Sequence, residues 1–359
     1  MSDQSTPTKT ISDFEAKLKE ADTSVASFEK DDKTVVHLLR GYLRAYPTMI
    51  PALVLILSML VFGMLSNRFL TPGTISLVLQ QVTVTGVVAI AQTLIILTGG
   101  IDLSVGAIMV VSSLVMGRLA VYQGVPVPLA IAAGMAIGAL MGSVNGLLVA
   151  RIKIPPFIAT LGTLSVFTAL KLWYSHSESV RGSDIDANAP FLLWMGNGFH
   201  VAGATLTYGS IALVLLAVLF WYILQHTAWG RHVHAVGDDP DSAMLAGIRT
   251  KGALVSVYTV AGLICGFGAW IAIGRVGSVS PQSFDTINLD SITAVVIGGT
   301  SLFGGRGSIT GSVLGAMIVG AFNLGLSLAG VDDYWQMFAV GSLVIVAVAL
   351  DQWLRRASQ

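Results

Sequence analysis

HTAWGRHVHAVGDDPDSAMLAGIRTKG (226–252) is a polar interval between two long apolar runs, 209–226 and 253–273. Apolar runs of about 18 or more residues cross a bilayer as helices, so the interval between them has to leave it. This alternation sets the fold class. Inside the interval a short helix has both ends marked. Asp239 is a good N-cap, Pro240 suits the first helical position, and Asp241 adds negative charge to the first turn. Ser242, Ala243, Met244, Leu245 and Ala246 carry the helix on, and Gly247 can take the left-handed conformation that ends it. Such a helix rises about 10 Å, too short to span a membrane and of a size for another protein to grip. An ordinary connecting loop with one helical turn fits the same spacing.

The rest of the chain repeats the pattern. Of 359 residues, 54% are hydrophobic and only 11% charged, with 39 glycines; soluble domains carry about 25% charged residues. With a mean hydropathy of +0.76, the chain reads as all-α: a polytopic transmembrane helical bundle of about ten spans. They are 47–66, 75–97, 103–122, 126–150, 156–174, 209–226, 253–273, 288–303, 308–330 and 334–354. Ser291, Thr293, Gly298 and Gly299 dilute the run at 288–303. The short alternating segments of a membrane β-barrel are missing. A formal net charge of +0 gives nucleic acid no electrostatic footing. The lone cysteine, Cys265, sits in an apolar run and packs as a small hydrophobe.

Residues 1–46 form a polar tail without the pattern of a signal peptide, ahead of a transmembrane domain at 47–356 whose polar loop is 227–252. In the tail, Ser12 and Glu15 are spaced as a capping box before a helix at 14–21. The apolar and basic stretch 35–44 either lies along the membrane surface or simply leads into the first span. Lys and Arg orient the bundle. With the N-terminus in the cytoplasm, the inner segments hold Lys9, Lys17, Lys19, Lys30, Lys33, Arg40, Arg44, Arg151, Lys153, Arg231, Arg249, Lys251, Arg306, Arg355 and Arg356. The outer side holds Arg68, Arg118, Lys171, Arg181 and Arg275. Both termini and 227–252 are therefore expected inside, and the polar segment 175–208 outside, as a lid, a docking surface or a plain loop.

Catalytic patterns are lacking. Gly304-Gly305-Arg306-Gly307-Ser308 has neither the lysine nor the spacing of a phosphate-binding loop. His232-x-His234 is too sparse for a metal site. No carboxylate falls near the middle of a span, which argues against an ion-driven carrier. The spans instead hold neutral hydrogen-bonding groups: Gln80, Gln81, Thr83, Thr85, Gln92 and Thr93 in the second, Asn145, Thr160 and Thr163 further on, and Asn323 in the ninth. Gln80, Gln81, Thr85, Gln92, Asn145 and Asn323 are candidates for a solute pathway, because amides and hydroxyls suit a neutral, hydroxyl-rich solute. Interhelical bonding is the alternative for each. Two glycine-rich junctions, LTGGIDLSVG (97–106) and IGGTSLFGGRGSITG (297–311), precede apolar helices. Gly99, Gly100, Asp102, Gly298, Gly299, Gly304 and Gly305 are candidate gates or hinges, unless they serve only turns and close packing, as Gly134-x3-Gly138-x3-Gly142 would. The similar placement of the junctions suggests an internal inverted repeat.

LTGGIDLSVG (97–106), GDDPDSAMLAGI (237–248) and IGGTSLFGGRGS (297–308), in this order, resemble the membrane-spanning permeases of bacterial ATP-binding-cassette monosaccharide importers of the ribose, xylose and fructose type. The resemblance runs from about residue 50 to 356. It implies a permease homodimer in the bacterial inner membrane, seated on two copies of a cytoplasmic ATPase that binds ATP and Mg, with no cofactor on this chain. It also implies a periplasmic sugar-binding protein that delivers the monosaccharide. The helix at 240–246 would be the coupling helix that slots into the ATPase. Asp241-Ser242-Ala243 stands where many relatives have Glu-Ala-Ala, and the tail is longer than the family leads one to expect. The alternatives are an ion-driven secondary sugar carrier and an export permease of the same class.

Overall fold

Apolar runs fold into helices here because a bilayer offers the backbone no partner but itself. The computed structural model describes residues 48–342 except 202 and 333, together with 345 and 349. The helices expected in the tail lie outside the described residues. The chain divides after Tyr46, and the bundle belongs to the second part.

The described bundle opens with α1 (Met49–Leu65), α2 (Pro72–Leu97), α3 (Val105–Tyr122), α4 (Val127–Leu147, prolonged by a π turn to Ile152) and α5 (Pro156–Ser175). A short helix α6 (Gly182–Asn188), a 3-10 turn (Pro190–Gly196) and an antiparallel hairpin of β1 (Gly198–Val201) and β2 (Ala204–Thr207) follow. Then come α7 (Tyr208–His226), α8 (Ala228–Asp238), α9 (Pro240–Leu245), α10 (Thr250–Val276), α11 (Ile287–Ile297) and α12 (Ile309–Leu328). Hydroxyl caps start several of them: Thr71 accepts from the Thr74 amide, Thr207 from Ser210, Thr227 from Gly230 and Ser308 from Gly311.

Seven of these helices are long and apolar enough to cross a membrane: α2, α3, α4 with its π turn, α5, α7, α10 and α12. With 17 and 11 residues, α1 and α11 are shorter. Residues 334–342 are helical, and most of the remainder of the expected last span lies outside the described residues. α2 and α3 are mostly buried, whereas only a minor share of α5 and α7 is buried. On α1, Leu53, Ile56, Leu57, Leu60 and Met64 all face outward. So much apolar surface is at home in lipid and not in water. α4 crosses α10 closely: a side-chain carbon on Gly142 would overlap the Tyr258 carbonyl oxygen, so only glycine admits this approach.

The two glycine-rich junctions share a turn. Gly99 and Gly299 both lie in the left-handed region, at φ +75° and +84°. Gly100 N–H donates back to Ile95, and Thr300 N–H to Val295, the helix-ending arrangement that frees a chain to turn sharply. They lie at the same end of the bundle, since Gly305 N–H donates to the Leu97 carbonyl at 3.0 Å. An inverted repeat puts equivalent junctions on opposite faces. The likeness of these two is therefore one of turn chemistry, and this pair gives no support to such a repeat.

Candidate functional site

α9 stands at the end of the bundle where the junctions meet. Asp239 Oδ1 accepts from the Asp241 and Ser242 amides at 3.0 and 3.2 Å, and Oδ2 accepts from the Ser242 hydroxyl. The Ser242 hydroxyl and then these two amides hold the Asp239 carboxyl below the usual carboxylate range. Gly247, at φ +85°, ends the helix. Only Ala243 of this helix is buried; Met244 is 58% and Leu245 87% exposed. Two adjacent large apolar side chains in the open, on a helix this firmly capped, are a surface for something else to cover.

α8 ties that peg to the bundle. Sequence reading took 227–239 as connecting loop, yet it is helical, with Val233 and Val236 buried. Trp229, Val233 and Val236, spaced four and three apart, were the available signal. Trp229 Nε1–H donates to the Ser256 hydroxyl at 2.9 Å. His234 Nδ1 faces the Gly305 carbonyl at 3.1 Å, a bond that needs the proton on Nδ1. A side-chain carbon on Gly237 would overlap the Leu97 carbonyl oxygen. Residues 97–106, 237–248 and 297–308 thus converge: the C-terminal end of α8 touches both junctions, and α9 follows it directly.

Asp102 lies at the heart of the first junction, only 1% exposed. Its Oδ1 accepts from the amide and hydroxyl of Ser104, each at 2.7 Å, and its Oδ2 accepts from Asn145 Nδ2 at 2.9 Å. The Gln92 side-chain amide, oriented to satisfy both its ends, bonds the backbone N–H and C=O of Asp102 at 3.2 Å each. Gln92 and Asn145, read as pathway candidates, are thus placed on Asp102 and not in a cavity. Gly100 packs under the Tyr258 hydroxyl, a contact the sequence gave no hint of. Gly298 packs on Gly311 across the second junction, and Gly304, at φ +88°, on Gly237 and Gly99.

The other pathway candidates separate from these. Gln81, Thr85 and Asn323 line one cavity of about 210 Å³, together with Arg275, Phe284, Thr286 and Asp290. Gln80 bonds the Ser76 hydroxyl at 3.2 Å and lines a smaller neighbouring cavity that also touches Arg275. Sequence reading missed Arg275 and Asp290, because they sit at helix ends where charges are unremarkable. A larger cavity of about 390 Å³ lies by Lys171, whose Nζ pairs with Asp285 at 2.9 Å. Among the described residues no group of His, Cys, Asp or Glu is arranged to hold a metal ion.

Residues 74–348 match the family described as "Branched-chain amino acid transport system / permease component". The chain is similar to the fructose import permease protein of Rhizobium meliloti, 49% identical over 359 residues and all of both chains. It is 39% identical to the ribose import permease protein of Bacillus subtilis (strain 168), over 84% of this chain and 92% of that one. The D-allose transport system permease protein of Escherichia coli (strain K12) is 33% identical over 82% of this chain and 89% of its own. No solved structure shows a significant match. With apolar helices fit to cross a membrane, and with a family match over most of its length, the chain belongs to this family of transport-system permeases.

Proposed function

We propose that this chain is the permease subunit of an ATP-binding-cassette importer that carries a monosaccharide across the bacterial inner membrane. The relatives named for fructose import, ribose import and D-allose transport support a sugar as cargo over the amino acid in the family's description. The observation that carries the reading is the convergence of α8, α9 and the two glycine-rich junctions at one end of the bundle. An exposed peg joined rigidly to two turns can pass a push from a partner to the helices those turns connect.

In this reading about ten spans cross the membrane with both termini and α9 in the cytoplasm. Two copies pair, and each α9 seats Met244 and Leu245 in a cytoplasmic ATPase subunit that binds ATP and Mg. A periplasmic binding protein delivers the sugar to the opposite face. The permease supplies no fuel; ATP binding and hydrolysis shift it between outward- and inward-facing states by favouring one set of α9 contacts over the other. Deleting Asp241–Ala246, or replacing Met244 and Leu245 with Glu, is expected to abolish both co-purification with the ATPase and ATP-driven uptake. Normal uptake in either variant overturns the reading.

A further inference from the structure

The polar side chains of the bundle fall into two sets. In the first, bonds close within the protein: Thr83 with Ser210, Thr93 with Ser312, Ser143 with Thr259, and Gln92 and Asn145 with Asp102. These are the interhelical bonds a membrane bundle needs. In the second, Gln81, Thr85 and Asn323 are half-buried, yet their side chains bond none of the described residues. Arg275 likewise has no ion pair or hydrogen bond among the described residues, and Asp290 accepts only from the Thr286 hydroxyl, at 3.2 Å. Sequestered polar groups in native proteins are ordinarily bonded. Half-buried Gln81, Thr85 and Asn323 instead leave their hydrogen-bonding groups open to the same cavity of about 210 Å³, at whose wall Asp290 is half-buried and Arg275 exposed.

Their chemistry is specific. The two amides and the threonine hydroxyl both donate and accept, the carboxylate accepts, and the guanidinium donates. Sugar hydroxyls also do both. Arg275 and Asp290 carry opposite formal charges, so the cavity has no net charge with which to select an ion of either sign. The volume falls below the roughly 300–1,000 Å³ of clefts for drug-sized ligands, as a single sugar ring requires. Phe284 adds an aromatic wall. It lies at φ +62°, a conformation rare for a bulky side chain, and it lines both this cavity and the larger one beside Lys171 and Asp285.

We propose that Gln81, Thr85, Asp290 and Asn323, with Arg275 and Phe284, form a solute subsite for a neutral polyhydroxylated ring. The permease then discriminates between sugars in transit and does not leave selection wholly to the delivery protein. This rests on the importer reading above. The test uses the complete transporter in proteoliposomes, with the delivery protein saturated in turn by D-fructose, D-ribose, D-allose and D-galactose. Uptake is measured for wild type, Asp290→Asn and Thr85→Val; the second keeps its side-chain shape and serves if the first fails to assemble. Each is expected to lower uptake of the preferred sugar about tenfold, the size of one lost hydrogen bond, and to change the ratios between sugars. A purely structural role scales all sugars alike, so unchanged ratios overturn the subsite. Wild-type vesicles that take up none of the four sugars overturn the importer reading, and the subsite with it.

Discussion

Asp102 has no cation within ion-pair reach among the described residues, and its carboxylate is held by Ser104 and Asn145 alone. A sequestered polar group that loses a hydrogen-bond donor is costly. Asn145→Leu removes one donor from the carboxylate and one from the Ser104 hydroxyl, which Asn145 Nδ2 also reaches at 2.8 Å. The expected loss is about 3 kcal/mol, read as a lowered apparent Tm of the purified protein. A wild-type Tm would show that the amide does not support the junction. Asp239 poses the opposite case, since it is fully exposed and its folded-state pKa is depressed, first by the Ser242 hydroxyl. A carboxyl with a depressed folded pKa stabilises the fold above its unfolded value, and that contribution is lost as pH falls through the folded one. The α9 amides are therefore expected to lose hydrogen-exchange protection on acidification, after correction for intrinsic rates. In Ser242→Ala the loss should begin at higher pH, nearer the ordinary carboxylate range. An unmoved transition would remove Ser242 from the cap.

The glycines of the converging elements differ in what they are for, and substitution separates the two uses. At Gly299 a side-chain carbon meets nothing within 4 Å, so Gly299→Ala carries only the left-handed backbone penalty, about 1–2 kcal/mol. At Gly237 the same carbon overlaps the Leu97 carbonyl oxygen, so Gly237→Ala must move α8 away from the junction. We expect Gly299→Ala to lower the Tm modestly with uptake retained, and Gly237→Ala to abolish uptake. Equal effects would mean that the contact between α8 and the first junction transmits nothing. These elements were unequally legible in the sequence. α9 was written in its caps, from Asp239 to Gly247, because capping is local chemistry. The run 288–303 read as one diluted span, whereas the helix stops at Ile297 and Gly298-Gly299 begins a turn. Apolar content alone does not say where glycine breaks a helix. The grouping of Gln81, Thr85 and Asn323 apart from Gln92 and Asn145 was not legible either, since it depends on which faces of α2, α4 and α12 turn toward one another.

Composition and apolar runs identified a polytopic helical bundle because the bilayer allows few alternatives, but orientation rests on a different signal. In the proposed reading, the excess of Lys and Arg in the inner segments assigns α9 and the junctions to the cytoplasmic side, with the hairpin of β1 and β2 at the far face. A push from an ATPase can reach the junctions only if α9 is on the ATPase's side, so the mechanism stands or falls with this assignment. The wild-type chain is a suitable background for labelling: its single cysteine, Cys265, is fully buried and should not react with a membrane-impermeant maleimide. Ala246→Cys puts a thiol at the exposed end of α9, and His200→Cys puts one on the exposed hairpin. In spheroplasts the reagent should label the cysteine at 200 and spare that at 246; in inverted vesicles the pattern should reverse. Labelling at 246 from outside would place α9 where no cytoplasmic ATPase can reach it, and the peg, the junctions and the cavity of Arg275 and Asp290 would then need another source of motion.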